Sequence, residues 1–157
     1  MKTLLILVGK TTDKHFQAGI ADYVERIGHY MPFELVTIPE LKNTKNLTEE
    51  QQKTAEGDLI LRQLQPSDTV VLLDEHGIER RSIEFARWVE KRISASPRRL
   101  VFMVGGPYGF SPEVHRRADE EISLSQMTLS HQMIRLLFVE QLYRAMTILR
   151  GEPYHHE

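Results

Sequence analysis

The apolar and polar positions of this chain follow two spacings in turn, which predicts strands alternating with helices. Residues 3–8, a threonine followed by five apolar residues, predict the first strand, and apolar side chains then recur at helical spacing as far as Gly28. Residues 33–38 form a second strand-like run that stops at Pro39. The polar stretch 40–47 that follows predicts a loop. The start of the chain is therefore predicted to be strand, helix, strand and loop.

The rest of the chain continues this alternation and adds helix-start signals. Thr48, with Gln51 three residues later, predicts a capping box for a helix that ends near Leu64. Ser82 predicts the N-cap of a later helix, and Ser111-Pro112 supplies a cap followed by proline at the start of another. The other predicted elements are a strand at 69–73, a turn at 74–77, a strand at 100–104, a short helix ending near Ala118, a strand at 122–125 and a long helix at 132–149.

This order of elements predicts one α/β domain over residues 1–157, with a mostly parallel sheet and helices on both faces. The sequence contains no internal repeat and no linker. The long last helix carries an apolar stripe that is wider than contact with one sheet requires. That width predicts a partner helix, and we therefore expect a homodimer.

Composition limits the classes of function. The chain contains no cysteine, which excludes disulfides and thiolate chemistry and fits a cytoplasmic location. No apolar run approaches the ~20 residues of a membrane-spanning helix, so no membrane association is expected. The formal net charge of −2 argues against coating nucleic acid by bulk charge. Seven basic residues against two acidic ones between Arg80 and Arg99 leave two interpretations, an RNA contact or a solvated helix face.

Two turns after apolar strands are the best candidates for a ligand site. Gly105 and Gly106 follow one strand, and glycines at the carboxyl end of a parallel strand expose backbone groups where ligands bind in open α/β sheets. The segment matches neither GxGxxG nor a P-loop, and a simple tight turn is the alternative. Residues 124–129 carry no charge, so their backbone and apolar side chains suit an adenine ring. A buried connector is the alternative there.

Polar candidates lie in the last helix and in the tail. Arg135 and Arg144 are nine residues apart, about 180° around a helix, so they need not share a site. Solvated surface positions are the alternative for both. Residues 154–156 place a tyrosine and two histidines at the end of the chain. No metal-ligand spacing and no GxSxG motif occurs, so neither a metal nor a Ser-His-Asp triad is predicted.

Taken together, these segments resemble the ribosomal RNA large subunit methyltransferase H family of the SPOUT superfamily over nearly the whole chain. Each segment alone is weak evidence for the family, whereas the order and spacing of the segments together are specific to it. The matching segments are 7–10, 72–74 with Gly77, 82–86, 104–109, 124–129, His131 with Arg135, 140–145 and 153–155.

The resemblance implies a SPOUT-type parallel sheet with a C-terminal trefoil knot, and a homodimer that binds S-adenosylmethionine. It also implies methylation of N3 of a pseudouridine in the helix-69 loop of 23S rRNA on the assembled 70S ribosome. The residues implied for the cofactor are Leu73, Gly105, Leu124, Ser125, Gln126, Met127, Thr128 and Leu129. Those implied for target binding and chemistry are His131, Arg135, Arg144, Tyr154 and His155. Ser130, Ile78 and His156 depart from the family pattern, where proline, lysine and a basic residue are common.

Methylation at N3 requires loss of the imide proton, because the neutral nitrogen has no usable lone pair. A cation stabilises the resulting anion, and Arg144 is the first candidate. His155 or His131 is expected to accept the proton, and Tyr154 to stack on the base. Two other functions remain open: a SPOUT methyltransferase that acts on tRNA, and a non-catalytic module that binds a nucleotide or cofactor.

Overall fold

A computed structural model describes residues 1–156 and contains five strands and five helices within that range. The predicted alternation of strands and helices is confirmed, and a short 3₁₀ turn, Thr44–Asn46, lies in the predicted loop. The elements are β1 (Lys2–Val8), α1 (Lys14–Gly28), β2 (Phe33–Ile38), α2 (Glu49–Arg62), β3 (Thr69–Glu79), α3 (Ser82–Ser94), β4 (Arg99–Val104), α4 (Pro112–Arg117), β5 (Glu120–Ser123) and α5 (Met133–Leu149).

The five strands form one parallel sheet in the order β2-β1-β4-β3-β5. Parallel sheets need both faces covered, and this one has an apolar core on each side. The alternation along β4 supplies both cores, since Phe102 and Val104 face one cluster and Val101 and Met103 face the other. The predicted α/β class with helices on both faces is confirmed.

Helix α5 packs between α1 and α3 on one face of the sheet, whereas α2 and α4 pack together on the other. Its buried side chains include Phe138, Val139, Leu142 and Ala145. The wide apolar stripe of this helix is therefore accounted for by two helices of the same chain. The stripe carries no argument for a second copy, and the homodimer stays a prediction.

Strand β3 is longer than the sequence predicts, and this is a correction to the turn expected at 74–77. The strand pairs with β5 at Leu73, loops out, and returns at Ile78 to the same partner, Ile122. Gly77 makes the return possible, because a Cβ there would lie 2.6 Å from the carbonyl carbon of Glu121. A polar bulge of this kind is read as a turn when the partner strand is not known.

Two further boundaries differ from the prediction. Strand β5 is Glu120–Ser123 rather than 122–125, because Glu120 and Glu121 pair with β3 in the sheet. The Glu120 carboxylate meets Trp88 Nε1 and Arg92 and is not a free surface acid. Ser82 is the first residue of α3 and not its cap, and its hydroxyl instead donates to Gln141 Oε1 at 2.9 Å.

The other two predicted caps are confirmed. Thr48 and Gln51 form the capping box of α2, each side chain bonding the backbone of the other. The Ser111 side chain accepts the Val114 N–H at the start of α4. Within residues 1–156, no helix has the length and apolar character needed to cross a membrane.

Candidate ligand-binding and catalytic site

A cavity of about 450 Å³ opens at the carboxyl ends of β3, β4 and β5, a volume within the range of small-molecule sites. The two turns singled out in the sequence form much of its wall. Seven of the eight residues implied for a cofactor line it: Leu73, Gly105, Leu124, Ser125, Met127, Thr128 and Leu129. Gln126 lies outside the cavity, where its amide is 3.4 Å from Glu79, and its role stays a prediction.

The glycine turn after β4 is held by its own backbone and by helix α2. Gly109 has φ +79°, which favours glycine, and its N–H donates to the Gly106 carbonyl at 3.1 Å. The Gly106 N–H donates to Glu56 Oε1 at 3.0 Å. A Cβ on Gly105 would lie 3.1 Å from the Phe110 ring, so glycine allows the ring to pack under the turn.

The second turn, after β5, is stabilised by short-range hydrogen bonds. The Ser123 hydroxyl donates to the Ser125 carbonyl at 2.8 Å, and Ser125 Oγ accepts the Met127 N–H at 3.0 Å. Met127 is 77% exposed at the cavity rim. The buried-connector interpretation of this turn is therefore wrong for Met127, whose side chain is available to a ligand.

The cavity wall also carries charged residues that the sequence did not indicate as part of a site. Glu49, Asp74 and Glu75 bring three carboxylates to the lining, and Lys53 brings a single ammonium group. Glu49 and Lys53 belong to α2, whereas Asp74 and Glu75 belong to the bulge of β3. No charged residue of either element was predicted to contact a ligand. The wall is acidic, which favours a cationic ligand over a phosphorylated one.

One group at the rim has the spacing of metal ligands. Asp74, His115 and Glu121 each offer one ligand atom, and these atoms lie within 4.8 Å of one another. His115 Nδ1 and Glu121 Oε2 already pair with each other at 2.9 Å, and Asp74 Oδ1 lies 3.0 Å from His76 Nδ1. These contacts account for the cluster as a set of hydrogen-bonded side chains.

Arg144, Tyr154 and His155, predicted for catalysis, lie together with Glu140, which the sequence analysis did not select. Arg144 bonds Glu140 Oε1 through Nε at 3.1 Å and Nη2 at 2.5 Å, and its Nη1 lies 3.1 Å from His155 Nδ1. The Tyr154 hydroxyl donates to Glu140 Oε1 at 3.0 Å. Hydrogen bonding to Glu140 raises the pKa of Arg144, and burial raises the pKa of Tyr154, so the guanidinium is charged and the phenol neutral.

The tail that carries Tyr154 contacts tyrosines from three places: α1, the loop that follows α1, and α5. The Tyr30 hydroxyl donates to Glu152 Oε2 at 2.6 Å, which raises the pKa of Tyr30 to about 12. The Tyr23 hydroxyl lies 3.3 Å from that of Tyr154, and the Tyr143 ring packs edge-on against Tyr154. Tyrosines of α1, of the loop after it and of α5 therefore hold the tail in the position that brings Tyr154 and His155 to Arg144.

We expect Tyr30→Phe to loosen the tail without unfolding the domain. The change removes one partly exposed hydrogen bond, worth about 0.5–1.5 kcal/mol, so the tail should open roughly 2- to 10-fold more often. Amide hydrogen exchange of residues 151–156 measures this opening. Tyr108→Phe removes a hydroxyl from an exposed tyrosine at the cavity and serves as the control. Unchanged exchange in Tyr30→Phe would show that the tail is held by other contacts.

Arg135 is fully buried, so the surface interpretation of this residue is wrong. Its guanidinium donates to the carbonyls of Val8 at 2.8 Å and Gly9 at 2.9 Å, and Nε donates to the His131 carbonyl at 2.8 Å. It joins the end of β1 to the turn that lines the cavity. Contact of Arg135 with a target stays a prediction. Ser130, which departs from the family pattern, accepts the Met133 N–H at the start of α5.

The cavity and the Arg144 group are separate within one chain. His131 and Ile134 line the cavity at the start of α5, whereas Arg144, Tyr154 and His155 do not. Arg144 lies ten residues beyond Ile134, about 15 Å along the helix axis. Of the residues predicted for chemistry, only His131 is therefore placed beside the cavity of its own chain.

Fold and site together define a class: an α/β protein with a small-molecule cavity at the carboxyl ends of parallel strands. Comparison with known proteins gives the family. Residues 1–155 match the family described as "Predicted SPOUT methyltransferase", and the chain belongs to that family.

The alignments with relatives cover the full chain or all but one residue of it. "Ribosomal RNA large subunit methyltransferase H" of Bacteroides fragilis is 63% identical over 157 residues, all of both chains. The protein of that name from Phocaeicola vulgatus is 62% identical over the same length, again all of both chains. That from Christiangramia forsetii is 56% identical over 156 residues, 99% of each. The family resemblance predicted from the sequence is confirmed.

Proposed function

We propose that this chain methylates N3 of a pseudouridine in the helix-69 loop of 23S rRNA, using S-adenosylmethionine on the assembled 70S ribosome. The family is one of methyltransferases, so the reaction takes a methyl group from a donor. The ribosomal RNA substrate is supported by the names of relatives that are 53–63% identical over the full chain. The pseudouridine, the helix and the assembled ribosome come from the resemblance of the sequence segments.

The observation that carries the proposal is the chemistry of the cavity wall. Gly105, residues 124–125 and residues 127–129 offer backbone groups and apolar side chains, which suit an adenine ring. Glu49, Asp74 and Glu75 suit a sulfonium cation and disfavour phosphates. This donor set fits S-adenosylmethionine and argues against a module that binds a nucleoside triphosphate.

S-adenosylmethionine supplies a methyl group on a positively charged sulfur, and its transfer is an in-line displacement. The protein therefore acts mainly by orientation and electrostatics. Arg144 is held by Glu140, and in this proposal its charge stabilises the N3 anion. His155 or His131 accepts the N3 proton, and Tyr154 stacks on the base. In this proposal no metal takes part.

The active unit in this proposal is a homodimer, and the C-terminal part of each chain forms a trefoil knot. The separation of about 15 Å along α5 supports the dimer, because one chain does not bring Arg144 to its own cavity. A second copy that presents its Arg144 group to this cavity completes the site. Exposed Arg87, Lys91 and Arg98 remain candidates for the RNA contact, since Arg92 and Arg99 are paired with Glu120 and Asp68.

The decisive experiment uses ribosomes from a strain that lacks this methyl group. We expect the purified protein with tritiated S-adenosylmethionine to label 23S rRNA at one pseudouridine in the helix-69 loop. Calorimetry should detect binding of S-adenosylmethionine to the protein and no binding of ATP. Label in tRNA would favour the other SPOUT substrate class. Binding of ATP without any label would favour the non-catalytic module.

A further inference from the structure

We propose that Glu56 of helix α2 is a positioning residue for the cofactor turn at Gly105–Gly109. Its buried carboxylate holds the Gly106 N–H and so fixes the backbone that faces the ligand. The inference rests on the proposed function, because it assigns a role in binding S-adenosylmethionine. Glu56 makes no contact with the reacting atoms in this proposal, since its side chain does not line the cavity.

Glu56, which is 6% exposed, is one of two buried acids among residues 1–156, and the other, Asp68, is paired with Arg99. Burying a carboxylate costs free energy unless the group receives hydrogen bonds. Here Oε1 accepts the Gly106 N–H at 3.0 Å. Burial raises the pKa of Glu56, the bond from Gly106 lowers it, and nearby Glu40 raises it further. A destabilised acid beneath a binding turn is the kind of local conflict that proteins retain at functional sites.

The contact between Glu56 and the turn leaves no space for a side chain. A Cβ on Gly106 would lie 2.6 Å from Glu56 Oε1 and 2.8 Å from Cδ. The turn therefore rests with its backbone directly on the carboxylate. Any larger residue at Gly106 requires the Glu56 carboxylate to move, which gives this glycine a reason independent of φ, since φ there is not positive.

The neighbouring residue of α2 fixes the other end of the same segment. A Cβ on Gly57 would lie 3.1 Å from the Ser111 Cβ and 3.3 Å from Val114 Cγ2, so α2 packs tightly against the start of α4. Glu56 and Gly57 thus hold the chain at Gly106 and at Ser111. The turn between these two points is anchored to one rigid helix.

The test compares three variants on the full-length protein. Glu56→Ala removes the acceptor, Glu56→Gln keeps an acceptor of the same length, and exposed Asp58→Ala on the same helix is the control. We expect Glu56→Ala to weaken S-adenosylmethionine binding about 10- to 100-fold, the loss associated with one hydrogen bond to a charged group. The rate at saturating S-adenosylmethionine should change by less than about 3-fold, since the group is remote from the reacting atoms. Glu56→Gln should recover most of the affinity, and Asp58→Ala should match the wild type.

A second comparison tests the contact itself and does not depend on Glu56→Ala alone. Gly106→Ala should weaken binding in the wild-type background, because its methyl group meets the carboxylate. The same change should add little to Glu56→Ala, where that space is empty, and this coupling is measured by a double-mutant cycle. Gly28→Ala, at a position with nothing within 4 Å of the added methyl, is the control for the glycine change.

The outcomes separate this inference from the proposed function. Glu56→Ala or Gly106→Ala with wild-type affinity would overturn the positioning role. So would a lower melting temperature in all Glu56 variants with no change in the KM for S-adenosylmethionine, because the residue would then serve stability only. A wild-type protein that binds no S-adenosylmethionine would instead overturn the proposed function.

Discussion

Arg144→Ala is expected to lower the methylation rate by about 100- to 1,000-fold, the loss seen when one preorganised donor to a developing anion is removed. The Arg144 guanidinium is fixed by two bonds to Glu140 and lies 3.1 Å from His155 Nδ1. In the proposed reaction, a cation held in this way would stabilise the N3 anion without reorganisation. Affinity for S-adenosylmethionine should stay within about 2-fold, because Arg144 does not line the cavity.

Single-turnover methylation of ribosomes that lack the methyl group measures the rate, and calorimetry measures donor binding. Arg144→Lys keeps the charge and loses the two-pronged contact with Glu140, so it should fall between wild type and Arg144→Ala. Arg62→Ala changes an exposed arginine at the end of α2, which is not a candidate for the RNA contact, and is the matched control for net charge. A wild-type rate in Arg144→Ala would remove this residue from the chemistry.

The order of elements was predictable from the sequence because the strands are short apolar runs separated by amphipathic helices. The end of β3 was not predictable, since residues 74–77 are polar and their pairing depends on β5, which is distant in sequence. The same holds for the start of β5, where Glu120 appears solvated until its partners Trp88 and Arg92 are placed. Local patterns predict elements well and miss boundaries that are set by contacts between elements.

The sequence predicted the two turns of the site and missed the residues that hold the turns and the proposed catalytic side chains in place. Gly105 and the uncharged residues 124–129 carry a local signal, whereas nothing local distinguishes Glu140 from an ordinary helix acid. One signal for Glu56 was available: it lies four residues before buried Ile60, which places a carboxylate on the apolar face of α2. The resemblance implied roles for Arg144, Tyr154 and His155, but it gave none to Glu140 of the matching segment 140–145, because a residue that orients others is recognised from its contacts.

Arg135→Ala should cause the largest loss of stability. The guanidinium is 0% exposed and satisfies carbonyls of Val8, Gly9 and His131. Its removal leaves a cavity and several buried acceptors without donors, each costing about 1–3 kcal/mol. We expect the free energy of unfolding to fall by about 3–5 kcal/mol. For a domain of this size the melting temperature should then fall by about 10 °C.

Thermal and urea unfolding test this expectation, with Arg87→Ala as the exposed control that should stay within about 0.5 kcal/mol of the wild type. Arg135→Lys should lose less than Arg135→Ala, because one ammonium group still reaches part of the carbonyl cluster. If Arg135→Ala melts like the wild type, the hydrogen bonds of Arg135 do not hold β1 to the cavity turn. If it is folded and inactive at a temperature well below its melting point, Arg135 contributes to the reaction beyond its part in stability, which is the role the family resemblance implies.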